Sequence, residues 1–107
     1  MYVVMIAPGY PAEMPYFTRG LARMGARVLG VGDQPEHDLS AVTREHLAGY
    51  LRVESLLDEE AVVEAVRRWA APVRVERVEC LWEPGVILAA RVRHRLHGGV
   101  GAPDGLR

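Results

Sequence analysis

Two rhythms of apolar and polar residues alternate along the chain. Tyr2 to Ala7 is an unbroken apolar run of strand length, and Pro8-Gly9-Tyr10-Pro11 ends it, since prolines remove backbone donors and fix φ. Phe17, Leu21 and Met24 follow at i, i+4, i+7, one face of a helix, with Pro15 suited to its first turn, Glu13 at its positive end and Gly25 as its stop. Val28 to Val31 predicts a second strand, closed by the turn cluster Gly32-Asp33-Gln34-Pro35. A short helix from Ser40 to Leu47, capped by Ser40, leads to a third strand over Tyr50 to Val53.

The second half repeats the alternation. Ser55 to Ala71 predicts a helix with Asp58, Glu59 and Glu60 at its start and Arg67 and Arg68 at its end, the distribution its dipole favours. Val62, Val66 and Trp69 share a face of it, Glu64 can pair with Arg68, and Pro72 terminates it. Val75 to Trp82 predicts a fourth strand. Glu83-Pro84 then opens a helix with Leu88, Val92 and Leu96 four residues apart. From His97 the sequence turns glycine-rich and loses apolar periodicity, so residues 97–107 are expected to be a disordered or irregular tail.

Four strand–helix units in succession imply parallel strands joined by right-handed crossovers. The expected fold is a three-layer α/β domain over residues 1–96, with about four parallel strands in the order 3-2-1-4 and helices on both faces. That is a Rossmann-like half with one strand beyond the switch point.

Composition narrows the chemistry. A length of 107 residues, 50% hydrophobic and 25% charged, fits one globular domain. All thirteen basic residues are arginine, so no lysine serves as a P-loop cation, a Schiff base or a general base. A net charge of −1 offers no basic footprint for nucleic acid. The single Cys80 excludes an internal disulfide and a cysteine metal cluster. No apolar run approaches the ~18 residues of a membrane span, and Met1 to Ile6 lacks the basic start of a signal peptide, so a cytoplasmic protein is expected.

In an open parallel sheet, ligands gather beyond the C-terminal strand ends at the switch point, which the order 3-2-1-4 puts between strands 1 and 4. The loops meeting there are Gly9-Tyr10-Pro11 and Glu83-Pro84. Gly9 has two readings: backbone N–H groups approaching a ligand, or plain turn chemistry. The G-x-G-x-x-G dinucleotide pattern is absent, and prolines thin the donors of any anion cradle. Glu83 either caps the following helix or holds a polar substrate group. Asp33 ends strand 2, where dinucleotide enzymes place an acid, but without the glycine fingerprint a turn role fits better. His37, His46, His94 and His97 show no metal-ligand spacing, and Cys80 within a strand reads as an inert thiol. No catalytic residue is assigned.

Three segments in this order resemble the N-terminal, pre-ATP-grasp domain of bacterial ATP-grasp proteins of the carboxylate–amine ligase kind. They are Ala7-Pro8-Gly9-Tyr10-Pro11-Ala12-Glu13-Met14-Pro15-Tyr16-Phe17-Thr18-Arg19, Gly25-Ala26-Arg27-Val28-Leu29-Gly30-Val31-Gly32-Asp33, and Val78-Glu79-Cys80-Leu81-Trp82-Glu83-Pro84 followed by Ala89-Ala90-Arg91-Val92-Arg93. The resemblance implies a Rossmann-like domain that packs on two further domains, which bind ATP and magnesium and form an acyl phosphate. It implies that Gly9, Tyr10, Pro11, Glu83 and Pro84 form part of the substrate-cleft wall. It stops near Leu96, so the expectation is a front domain separated from its ATP site by truncation, by division into subunits or by a shifted reading frame. The abrupt change at His94 to His97 favours the last. Such a domain alone would have no catalysis and no cofactor. Its partners would be the missing ATP-grasp domains or a partner subunit, with a homodimer as an alternative. The other reading, a stand-alone small-molecule or nucleotide-binding module, uses the same crevice.

Overall fold

The computed structural model describes residues 1–9 and 12–98. Four strands, β1 (Tyr2–Ile6), β2 (Arg27–Gly32), β3 (Leu47–Arg52) and β4 (Val75–Glu79), form one all-parallel sheet in the order β3-β2-β1-β4. Four helices connect and follow them: α1 (Met14–Arg23), α2 (Ala41–His46), α3 (Glu59–Trp69) and α4 (Val86–Arg93). The architecture is the α/β sheet that the alternation predicts.

β1 is buried on both faces, which is why it reads as a continuous apolar run. Its side chains divide by parity. Val3 and Met5 pack with Val28 of β2 and with Met14, Phe17 and Leu21 of α1. Val4 and Ile6 face the other way, against Val62 and Val66 of α3 and Leu88 and Val92 of α4. One helix thus covers one face, with α2 packed along it, and α3 and α4 cover the other. β4 is an edge strand with polar Glu76 and Arg77 exposed, and the Arg77–Glu79 ion pair places charge along that edge.

The boundaries differ from the periodicity in instructive places. Gly25 does stop α1: its φ is +94°, Gly25 N–H donates to Ala22 carbonyl at 3.0 Å, and Ala26 N–H donates to Leu21 carbonyl at 3.1 Å. That is the bond pair of a Schellman turn. Met24 lies just past the last helical residue and is 85% exposed, so it leaves the apolar face that its spacing predicts; Met14 and Thr18 take the buried positions instead. β3 begins at Leu47, three residues before Tyr50, because α2 passes directly into the strand. Asp58 accepts from Ala61 N–H at 3.4 Å, so α3 starts only after it; Ser55 makes a separate turn by accepting from Leu57 N–H. β4 ends at Glu79, and the Cys80 thiol donates to Trp82 carbonyl at 3.2 Å as the chain turns.

The last helical segment does not finish at Arg93. His94–Gly98 continues as a wider π turn, with Leu96 packed on the core and His97 Nε2 2.7 Å from Val75 carbonyl. His97 and Gly98, assigned by sequence to the tail, complete this turn. The remaining tail residues lie outside the described residues. Among the described residues, no helix is long and apolar enough to cross a membrane.

Candidate functional site

Of the residues singled out by sequence, Gly9 and Asp33 lie just past the C-terminal ends of β1 and β2. β1 leaves the sheet through Ala7, whose φ of +56° is in the left-handed region. This costs an L-residue about 1–2 kcal/mol, and the buried surroundings hold it there: Ala7 N–H donates to Val31 carbonyl at 2.7 Å. The strained exit carries the chain from the end of β1 toward β2 through Pro8 and Gly9. Tyr10 and Pro11, two of the expected cleft residues, lie outside the described residues.

Gly9 has no positive φ; its small size serves packing. A Cβ there would sit 2.2 Å from Gln34 Oε1, so the Gln34 side chain occupies the space above it. The Gln34 carbonyl in turn accepts from the Tyr50 hydroxyl at 2.8 Å. One residue therefore ties the loops after β1 and β2 to β3. Burial, then the Asp33 carboxylate, pushes the Tyr50 pKa up to about 12, which keeps the phenol neutral and donating. The ring fits because β2 is bare beneath it. A Cβ at Gly32 would lie 2.6 Å from Tyr50 Oη, and one at Gly30 3.1 Å from Tyr50 Cδ1. The G-x-G on β2 is thus a seat for an aromatic ring.

Beside this cluster is a cavity of about 330 Å³, lined by Gly9, Pro15, Gln34, Asp38, Ser40 and Thr43 among others. Ser40 caps α2, accepting from Thr43 N–H at 3.1 Å, with its Oγ 3.0 Å from Thr43 Oγ1. The lining offers an amide, hydroxyls and one carboxylate, with no arginine. Such a set suits a neutral polar or amine-bearing group better than a phosphate.

Glu83 and Pro84 are elsewhere. They form a single 3₁₀ turn, Glu83–Gly85, ahead of α4; both are exposed, and the Glu83 carboxylate makes no capping hydrogen bond. Neither lines the cavity that Gly9 lines. The fixed point of that turn is the buried Gly85, where a Cβ would be 2.8 Å from Cys80 Sγ. Cys80 is half-buried and its thiol pKa is pushed up by burial, so little thiolate forms at neutral pH.

Among the described residues, no group of three or more His, Cys, Asp or Glu side chains is placed to hold a metal ion. His37 is exposed beside Asp38 at 3.4 Å, and His46 Nδ1 is 2.7 Å from Val42 carbonyl one turn back. Sequence reasoning missed Ala7, Gln34, Tyr50 and Ser40 as parts of this end. The signal that could have found Tyr50 is the spacing Gly30-x-Gly32 within an apolar strand, which vacates one face for a large side chain from a neighbouring strand. Comparison with family models, with curated proteins and with solved structures yields no match.

Proposed function

We propose that this chain acts as the front domain of an ATP-grasp carboxylate–amine ligase: it supplies one wall of the substrate cleft and docks on ATP-binding domains. The supporting observation is α4. Its inner side is buried through Leu88, Ala89 and Val92, while its outer side exposes Val86 at 50% and Ile87 at 68%. A surface helix normally turns polar residues outward, as α4 does with Arg91 and Arg93; two branched aliphatics exposed side by side in its first turn favour a second neighbour there. The neighbour in this reading is the ATP-binding body, and the turn at Glu83-Pro84 leads straight into that docking helix. The small polar cavity at Gly9, Gln34 and Ser40 then receives the non-phosphorylated part of the substrate. The chain's arginines, without a lysine, leave the hold on ATP to the partner.

Two measurements test this. The purified chain with ATP, magnesium and a panel of carboxylic and amino acids releases no phosphate; ATP-dependent release overturns the reading. The exposed α4 face drives concentration-dependent self-association in sedimentation when its partner is missing, and Ile87→Arg abolishes it. A strict monomer at all concentrations argues against a docking face. A saturating calorimetric isotherm with ATP or NAD favours the stand-alone binding module instead.

A further inference from the structure

A second cavity, of about 860 Å³, opens at the opposite end of the sheet. It lies where β4 begins, at Val75, whose partner in β1 is the first strand residue Tyr2. Its apolar walls include Ala70, Val73 and Leu96, and its volume is within the range of small-molecule sites. Three guanidinium-bearing residues, Arg67, Arg74 and Arg95, line it against one acid, Glu76.

The arginines are poorly neutralised. Arg67, Arg68 and Arg95 all converge on the single carboxylate of Glu64, with Arg67 bonding both of its oxygens, Arg95 at 3.2 Å and Arg68 at 4.0 Å. Each guanidinium carries about five N–H donors, whereas a carboxylate accepts roughly four bonds, so donors remain over. Arg74 has no hydrogen-bond or ion-pair partner among the described residues, and it is exposed at the cavity edge. His97 is fixed at the same wall by its Nε2 contact with Val75 carbonyl. Surplus guanidinium donors around an apolar hollow match an oxyanion joined to an apolar body, because forked N–H pairs meet carboxylate and phosphate oxygens two at a time.

We infer that this foot-of-sheet cavity binds a small organic anion, a phosphomonoester or carboxylate with an apolar body, through Arg74 and the Glu64-linked arginines. The site lies at the other end of the strands from the proposed substrate wall and stands independently of that reading.

The test uses phenyl phosphate as probe, with inorganic phosphate and phenol as its two halves, followed by calorimetry and amide chemical shifts on the full chain. Phenyl phosphate saturates, binds at least about fivefold more tightly than either half, and shifts the amides of Val73 and Leu96. Arg74→Ala, which removes an exposed and unpartnered side chain, keeps the native circular dichroism spectrum and weakens binding about tenfold. Arg44→Ala, on α2 across the sheet, leaves affinity within about twofold. The inference is overturned if phenyl phosphate does not saturate, if Arg74→Ala binds it as well as the parent, if Arg44→Ala weakens it equally, or if the shifts map to Gly9 and Ser40.

Discussion

At the C-terminal end of the sheet, Tyr50 lies over Gly30 and Gly32, Gln34 lies over Gly9, and the small cavity beside them has no arginine in its lining. At the N-terminal end, the larger cavity is ringed by Arg67, Arg74 and Arg95 over aliphatic walls. The same four strands span both ends, so strand order alone does not distinguish them. Close packing shapes the first end: missing side chains make room for an aromatic ring. Charge shapes the second: several cations share one carboxylate. The general rule for parallel sheets places ligands at the first end, where the strained Ala7 supports it. The charge distribution marks the second as the end for anions. Position in the fold and chemistry of the lining are separate arguments, and in this chain they select different ligands.

The largest predicted effect removes what the two ends have in common. Ile6 is fully buried between β1 and the α3/α4 layer. Ile6→Ala costs about 3 kcal/mol in urea unfolding, a large share of the about 5–15 kcal/mol that holds a domain folded. Both ends should loosen together in hydrogen exchange; protection retained at one end alone would show that the ends are separately stable. Gly32→Ala comes next and acts on one end. The new methyl meets Tyr50 Oη, held in place by its bond to Gln34 carbonyl, and the expected cost is about 2 kcal/mol. Tyr50→Phe alone loses the hydrogen bond, about 1 kcal/mol. In the double variant the clash is gone, since the ring carbons lie 3.5 Å from the added Cβ, so the two costs fall well short of their sum. Additive costs would mean that Tyr50 does not set the space at Gly32.

Tyr50 also gives the first end a pH dependence. Its folded pKa, about 12, is above the ordinary tyrosine value of 10.0. The folded state therefore holds the proton more tightly. The stabilisation is complete below pH ~10 and falls as pH rises from about 10 to 12. Unfolding midpoints between those limits should drop more steeply in the parent than in Tyr50→Phe, and equal slopes would remove Tyr50 as the cause.

The strands and their order were legible because β1 is buried on both faces and leaves an uninterrupted apolar signature. The stop at Gly25 and the cap at Ser40 were legible because each depends on one local residue type, whereas the Asp58 cap was hidden by an expected helix start at Ser55. What stayed hidden was non-local. Gly49 lets β3 approach the Trp69 ring, with a Cβ 3.4 Å from Trp69 Cζ2, and the weak apolar signal of Leu47-Ala48-Gly49 concealed the start of the strand. The Gln34 bridge and the arginine-rich cavity join residues far apart in sequence, and no spacing encodes such a meeting. Glu83 illustrates the reverse case: its place before a helix suggested a cap or a ligand hold, yet its carboxylate makes no capping bond.

The smallest effect concerns the helix between these ends on the α1 face. Thr18 is fully buried, and its Oγ1 has no hydrogen-bond partner among the described residues. A buried hydroxyl without a partner loses its water bonds on folding and gains nothing in return. Val has nearly the shape of Thr and a similar helix propensity, so Thr18→Val changes the polarity of the site and little else. The expected result is a gain of about 1 kcal/mol in urea unfolding with the slope unchanged. Because α1 packs on both α2 and the sheet, this variant also sharpens the contrast between the ends. A more stable α1 should leave phenyl phosphate affinity at the foot unchanged, since none of that cavity's lining belongs to α1. A loss of stability would instead show that the hydroxyl has a partner that matters, and the small-cavity end, next to α1, would be the first place to look for it.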